Sequence, residues 1–225
     1  MNDKKGIVVL VEGASDGAAF NSVMEEYFSS EEVYFIFTSG DITSRYDVTR
    51  SNVITKIEKA VNEARKKYCY DWKDIVRIIH IVDTDGTFTN NCVVKADVEN
   101  IQYFEDHMES KNVQETEKRN KSKAEIMTKL YSTGKIHNTE YRIYFNSCNL
   151  EHVLYNELKD FSNEQKTEMS DDFDEKYEGH LSEFIEFISN PEIAVPGSYK
   201  ETWKFIETGK NSLQRHTNVH LIFAK

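Results

Sequence analysis

The sequence has few cysteines, few prolines and no long apolar run, and each shortage narrows the classes of protein that it can encode. Its three cysteines, Cys69, Cys92 and Cys148, lie far apart and form no C-x-x-C pair, which argues against a disulfide framework and a zinc site. No stretch approaches the ~18 apolar residues of a membrane span, and the apolar part of the N-terminal segment is too short for a signal peptide. The only prolines, Pro191 and Pro196, bracket a turn. We therefore expect a protein of the reducing cytoplasm, with no membrane contact.

Positive charge is also scarce. The chain has 28 basic and 39 acidic residues, a net charge of -11, which argues against a protein that coats nucleic acid, because binding to phosphates relies on lysine and arginine. Residues 111–130 are the exception, and their candidates for nucleic-acid contact are Lys118, Arg119, Lys121 and Lys123. Interleaved glutamates leave a solvated charged face equally open there. Arg215 is a further candidate, with capping of the preceding helix as its alternative role.

Apolar runs and amphipathic patterns alternate over the first two thirds of the chain. Continuous apolar runs predict buried strands at 6–11, 33–37, 75–82 and 141–145. Helical spacing predicts helices at about 15–28, capped by Ser15 or Asp16, and at 49–68 and 122–132. Strands alternating with helices indicate βαβ units, so we expect an α/β fold with a mainly parallel sheet flanked by helices. His80, within the third strand, is expected in the core rather than as a ligand.

Beyond residue 150 the pattern becomes helical. Helices are predicted at 150–161, 180–189 and 198–208, and the acidic stretch NEQKTEMSDDFDEKYEG, residues 163–179, separates the first two. We therefore expect an α/β domain over residues 1–150 and a helical C-terminal extension over residues 151–225 packed on it.

Carboxylates follow every predicted strand. In chain order they are Glu12 and Asp16, then Asp41, then Asp83 and Asp85, then Glu151. In an open parallel sheet, functional side chains gather beyond the carboxyl ends of the strands, and Mg²⁺ or Mn²⁺ is bound by carboxylate oxygens. The pattern predicts a metal site formed by Glu12, Asp83 and Asp85. Asp16 and Glu151 are further candidate ligands, and for both of them helix capping is equally open.

The segment IVDTDGTF, residues 81–88, resembles the first motif of the haloacid-dehalogenase-like phosphatases. That resemblance implies that Asp83 is a nucleophile toward phosphate and that Asp85 is a general acid. The rest of the family's pattern is missing. The only adjacent aspartates downstream, Asp171 and Asp172, lie in a polar segment, and a strand precedes the motif strand.

The order of motifs resembles the Toprim fold of topoisomerases, primases and the OLD and RloB-like nucleases. VEGASD follows the first predicted strand and DTDG follows the third, so the resemblance covers about residues 6–90. It implies that Glu12 is a metal ligand or general base and that Asp83 and Asp85 are metal ligands. The segments YFNSCNLEHVLYNE and SYKETWKFIETGKNSLQRHTN are similar to anti-phage, abortive-infection proteins of the RloB and AbiL types, which accompany an ABC- or AAA-type ATPase.

The favoured hypothesis is a Mg²⁺- or Mn²⁺-dependent nuclease that cleaves DNA or RNA, including tRNA, in bacterial anti-phage defence together with an ATPase. Glu12, Asp83 and Asp85 would be its catalytic residues. A lysine from residues 111–135 is expected to stabilise the transition state, although no spacing selects one. Two alternatives stay open: a phosphatase using DTDGT, and a non-catalytic partner of the ATPase. Self-association is open as well.

Overall fold

A computed structural model describes residues 5–38 and 41–224 of the chain; residues 1–4, 39, 40 and 225 of the two predicted domains lie outside that part. The strands are β1 (Gly6–Val11), β2 (Glu32–Phe37), β3 (Ile75–Asp83), β4 (Val93–Lys95), β5 (Gln102–Tyr103), β6 (Met108–Ser110), β7 (Lys135–Ile136), β8 (Thr139–Ser147) and β9 (His216–Thr217). The helices are α1 (Ala14–Ala18), α2 (Asn21–Tyr27), α3 (Val53–Lys67), α4 (Val113–Tyr131), α5 (Leu150–Tyr155), α6 (Asn163–Tyr177), α7 (Leu181–Ile188) and α8 (Tyr199–Ile206).

A six-stranded sheet has the order β2-β1-β3-β8-β7, with β9 paired to β8. Strand β1 lies between β2 and β3 and runs parallel to both. All six of its residues are buried, which explains why its sequence is apolar without alternation. The hairpin β7–β8 is antiparallel, as is the pairing of β8 with β9. The predicted α/β class, with a mostly parallel sheet flanked by helices, is confirmed.

The chain forms two compact units from interleaved segments. The first unit comprises Met1–Ile81, Thr128–Ile143 and Ser162–Phe184, and the second comprises Val82–Met127, Tyr144–Phe161 and Ile185–Lys225. Residues beyond 150 therefore contribute to both units. In the described residues, no helix combines the length and the apolar character needed to cross a membrane.

The acidic stretch after residue 162 is a helix, so the prediction of a separator there is wrong. Ser162 begins α6 with a reciprocal capping box: its main-chain N–H donates to the Gln165 side chain and its hydroxyl accepts from the Gln165 N–H. Phe173 and Tyr177, four residues apart, are buried on the inner face of the helix. In the first unit, α6 packs against α1 and α2. The prediction failed because the sequence of α6 is polar on average and its apolar stripe is narrow.

The prediction of one helix from Ser15 or Asp16 to Phe28 is also wrong. This part of the chain forms two helices, α1 and α2, with a break between them. The N-cap of α1 is Gly13, and the Asp16 carboxylate accepts a 2.8 Å hydrogen bond from the Gly13 N–H. At Phe20 the backbone leaves the helical region, and the fully buried ring meets Phe184 edge to face at 6.2 Å. Burial of this aromatic ring accompanies the break.

The second unit contains a small sheet of order β4-β6-β5 that the sequence analysis did not predict. Its strands have two or three residues each, too few for a two-residue alternation to be recognised. Helix α4 is longer than predicted and begins at Val113. It includes most of the basic segment.

Candidate functional site

The loop after β3 is held in place by main-chain hydrogen bonds within the second unit. The N–H groups of Thr84, Asp85 and Gly86 donate to the carbonyl oxygens of Asn146, Cys148 and Ser212, at 2.9, 2.8 and 3.1 Å respectively. The Thr84 hydroxyl also donates to the Ser212 carbonyl, at 2.8 Å. The DTDG segment is therefore fixed by the end of β8 and by the short 3₁₀ helix Asn211–Leu213.

Asp85 and Gly86 both have left-handed backbone conformations, with φ of 48° and 66°. For Gly86 the neighbours add a second constraint, because a Cβ there would lie 2.5 Å from Leu213 Cδ2 and 3.0 Å from Met108 Sδ. Only glycine satisfies both conditions without a shift of its surroundings. The packing of Leu213 and Met108 on Gly86 thus fixes the backbone of the turn. The backbone of the turn in turn sets the position of Asp85.

Asp85 forms an ion pair with a buried lysine. Lys123 Nζ lies 2.7 Å from Asp85 Oδ2, and the lysine side chain is 0% exposed. Arg119 lies one turn earlier on α4, on the same face. Its Nη2 is 4.0 Å from Asp85 Oδ2 and 3.4 Å from the Asp85 carbonyl oxygen. Two cationic side chains therefore meet the second aspartate of DTDG.

Tyr103 holds the other branch of the Arg119 guanidinium. Arg119 Nη1 donates to the Tyr103 hydroxyl at 3.2 Å. Burial, reinforced by the negative charge of Asp85, raises the pKa of Tyr103, so the phenol remains neutral and accepts this hydrogen bond. Arg119 is oriented by contacts on both of its terminal nitrogens.

Cys148 and His152 lie beside the loop but are poorly suited to chemistry. Burial, together with the charges of Asp85 and Asp83, raises the pKa of the Cys148 thiol well above its usual range, although Lys123 and Arg119 oppose the shift. A protonated, buried thiol is not a nucleophile. His152 Nδ1 accepts a 3.3 Å hydrogen bond from the Cys148 N–H. Burial and the Arg215 charge lower the pKa of His152 to about 4, so it is neutral at pH 7.

The predicted acidic residues have different environments. Asp83 ends β3 and is half-buried, and its charge acts together with that of Asp85 on the Cys148 thiol. Glu12 directly follows β1 in the first unit and is half-buried. Glu151 is 5% exposed in the first turn of α5. Asp16 caps α1 through the Gly13 N–H, and Asp41 accepts a hydrogen bond from the Thr43 N–H at 2.7 Å. Asp16 and Asp41 thus have structural partners.

The predicted basic residues also divide into groups. Lys118 and Lys121 are exposed on α4, whereas Lys123 is buried on Asp85. Arg215 donates through Nε and Nη2 to the carbonyl oxygen of Val153, at 3.0 and 2.8 Å, and through Nε to that of His152. These carbonyls belong to α5 and not to the helix that precedes Arg215 in the chain, so Arg215 caps a different helix from the one expected.

Lys123 was not identified from the sequence as the partner of Asp85. The buried face of α4 in the second unit carries Thr116, Asn120 and Lys123, which follow one another at spacings of four and three residues. A lysine on the buried face of a helix is unusual, because lysines are almost never fully buried unless they are paired. The burial of Lys123 is therefore explained by its pairing with Asp85.

The donor chemistry of the loop fits a hard divalent cation. Among the residues that the structure describes, no group of three or more histidine, cysteine, aspartate or glutamate side chains is arranged to hold a metal. Asp83 at the end of β3 and Asp85 in the loop after it nevertheless supply two carboxylates two residues apart. Proteins commonly bind Mg²⁺ through one or two carboxylates, with waters and substrate phosphates completing its octahedron. Two carboxylates are enough for that mode of binding.

The adjacent aspartates that a phosphatase of this type would need do not follow a strand. Asp171 and Asp172 are exposed residues of α6 in the first unit.

None of the family models, curated proteins or solved structures with which the chain was compared matches it. The site is therefore interpreted from its own residues.

Proposed function

We propose that this chain is a nuclease that cleaves phosphodiester bonds with the help of Mg²⁺ or Mn²⁺. The observation that carries the proposal is the meeting of Asp85 with Lys123 and Arg119 in a fixed loop that directly follows Asp83 at the end of β3. Cleavage of a phosphodiester needs both kinds of charge: carboxylates for a divalent cation, and cations for the negative charge that grows on the phosphate oxygens. A structural ion pair alone would not require a second aspartate and an arginine beside it.

The residues would divide the work as follows. Asp83 and Asp85 would hold the cation, which supplies an acidified water and charge neutralisation when bound. Lys123 fixes the orientation of the Asp85 carboxylate through Oδ2, because its own side chain is immobilised by burial. Arg119, which is partly exposed and held by Tyr103, would contact a phosphate oxygen. Glu12 keeps its predicted role as metal ligand or general base, which rests on the resemblance to Toprim proteins.

The biological setting rests on the same resemblance. It includes anti-phage defence in a bacterial cell, an ABC- or AAA-type ATPase as partner, and DNA or tRNA as substrate. Lys118 and Lys121 are exposed on α4 and are available to the phosphates of such a substrate. Cys69, Cys92 and Cys148 are free thiols, which suits the cytoplasm.

Incubation of the purified chain with plasmid DNA and with total tRNA tests this function. We expect cleavage of at least one substrate with Mn²⁺ or Mg²⁺ and none in EDTA. A generic phosphomonoester, added as a third substrate, should remain intact, because its hydrolysis would favour the phosphatase. If neither nucleic acid is cut, by the chain alone or together with an ABC- or AAA-type ATPase partner, the proposal is wrong.

A further inference from the structure

A cleft in the second unit opens beside Tyr103, the residue that holds Arg119. It has a volume of about 470 Å³ and is lined by residues 102–105 and 158–160. The first segment comprises β5 and the start of the turn into β6, and the second follows α5. The cleft therefore has one wall in common with the Asp85 site, namely Tyr103.

Phe104 gives this cleft an exposed and oriented aromatic surface. Phe104 is 39% exposed, so part of its surface is accessible to a ligand. One face of the ring stacks on the His107 imidazole, with centroids 4.5 Å apart and planes 3° from parallel. The turn is closed by a 2.9 Å hydrogen bond from the Phe104 N–H to the His107 carbonyl oxygen. The ring is thus fixed before any ligand arrives, and a planar group could extend the stack.

The polar groups around the cleft suit hydrogen-bond donors rather than phosphates. Glu105 and Asp160 are carboxylates, and Gln102 supplies an amide with one acceptor and two donor positions. Lys159, the cationic residue of the lining, is already paired with Glu157. Asn100 Nδ2 contacts Asp160 Oδ2 at 3.5 Å. Carboxylates accept from the exocyclic amino groups of bases, and glutamine pairs with the edge of adenine.

We propose that this cleft binds an unpaired nucleobase of the substrate strand, with a preference for bases that carry an exocyclic amino group. Phe104 would stack on the base, and Gln102, Glu105 and Asp160 would contact its edge. The inference rests on the proposed nuclease function, since Tyr103 connects the cleft through Arg119 to the loop that would act on the phosphate. Unpaired bases are read in this way because their faces and edges are accessible.

Fluorescence anisotropy with labelled single-stranded oligonucleotides tests the inference without cleavage if Ca²⁺ replaces Mn²⁺. Three DNA probes of one length are compared: adenine-bearing, thymine-bearing and abasic. The wild-type chain should bind the adenine probe most tightly and the abasic probe most weakly. Phe104→Ala should weaken binding of the adenine probe by about fivefold or more, the scale of one lost stacking contact. It should leave the abasic probe unaffected, and Phe104→Trp should retain wild-type binding.

Tyr46→Ala is the matched control, because Tyr46 is a fully exposed aromatic residue of the first unit. It should leave all three affinities unchanged. Equal affinity of wild type and Phe104→Ala for the adenine probe, or equal binding of adenine and abasic probes by wild type, would overturn the inference. Either result leaves metal-dependent cleavage untouched. Conversely, Phe104-dependent binding without any cleavage in Mn²⁺, by the chain alone or together with an ATPase partner, would support the base site and refute the nuclease.

Discussion

Lys123 Nζ lies 2.7 Å from Asp85 Oδ2, and no part of the lysine side chain is exposed. Burying an ammonium group is costly, and a buried ion pair is often no more stable than an apolar pair of the same volume. Stability therefore gives a weak reason for a lysine at this position. Because Asp85 belongs to the DTDG loop, the pair is better explained by the need to hold a carboxylate in a defined orientation.

Replacing Lys123 with methionine tests this explanation. Lys123→Met keeps the length of the side chain but removes its charge, so we expect the rate of metal-dependent cleavage to fall by about 10- to 100-fold, the scale for a lost partner of a metal-binding carboxylate. Circular dichroism and thermal unfolding should show a folded protein. Lys66→Met, at an exposed position of α3, is the control and should cleave at the wild-type rate. A folded Lys123→Met protein with the wild-type rate would exclude a role for this lysine.

Gly86→Ala should destabilise the protein because it combines backbone strain with a steric clash. We expect the free energy of unfolding to fall by about 2–4 kcal/mol in urea denaturation. Gly209→Ala separates the two causes, since Gly209 has a similar φ of 61° but a Cβ added there would have no heavy atom within 4 Å. It should cost only about 1–2 kcal/mol. Equal losses in the two variants would mean that Leu213 and Met108 do not constrain the turn.

Asp174 caps the start of α2 from α6 within the first unit. Its carboxylate oxygens accept hydrogen bonds from the Ser22 N–H and hydroxyl, both at 2.8 Å. Asp174→Ala should therefore lower the free energy of unfolding by about 1–2 kcal/mol, the usual scale for a lost cap. Asp172→Ala, at an exposed position of the same helix, should have little effect in the same denaturation experiment. If both variants are equally stable, the capping contact does not form.

His80 should make stability depend on pH. Burial lowers its pKa from 6.5 to about 4, with Asp41 opposing the shift, and its Nδ1 lies 2.8 Å from the Tyr141 hydroxyl. Between these two values the unfolded chain binds a proton that the folded protein does not. The free energy of unfolding should therefore fall as the pH drops from about 6.5 to about 4, by up to about 3 kcal/mol from this residue.

His80→Phe removes the titrating group, so its stability should vary less over that pH range than the wild type's. His180→Phe, at an exposed site, serves as the control and should retain the wild-type dependence. Denaturation curves at several pH values give the slopes. If His80→Phe has the wild-type slope, the histidine is not held neutral by the fold.

The elements that were predicted well are those whose own residues determine their environment. Strands β1 and β3 are long apolar runs, and a central strand in a parallel sheet needs apolar residues on both faces. Helix α6 was missed because its buried residues, Phe173 and Tyr177 among them, are few and its surface is highly acidic. For such a helix, the cap at Ser162 is a better sequence signal than the mean polarity.

The candidate site was predictable only in part. Asp83 and Asp85 are two residues apart and follow a buried strand, so a local pattern reveals them. Lys123 lies 38 residues beyond Asp85, and their contact depends on how α4 packs on the loop. Spacing along the chain carries no information about that packing, which is why the lysine could be expected but not identified.

Asp83→Asn provides the most direct test of the proposed nuclease. The substitution keeps the shape of the side chain and removes the charge that a divalent cation needs, so Mn²⁺-dependent cleavage of plasmid or tRNA should fall at least about 100-fold. Asp172→Asn, an equivalent change at an exposed aspartate of α6, should cleave at the wild-type rate. Undiminished cleavage by a folded Asp83→Asn protein would contradict the assignment of this loop as the catalytic centre.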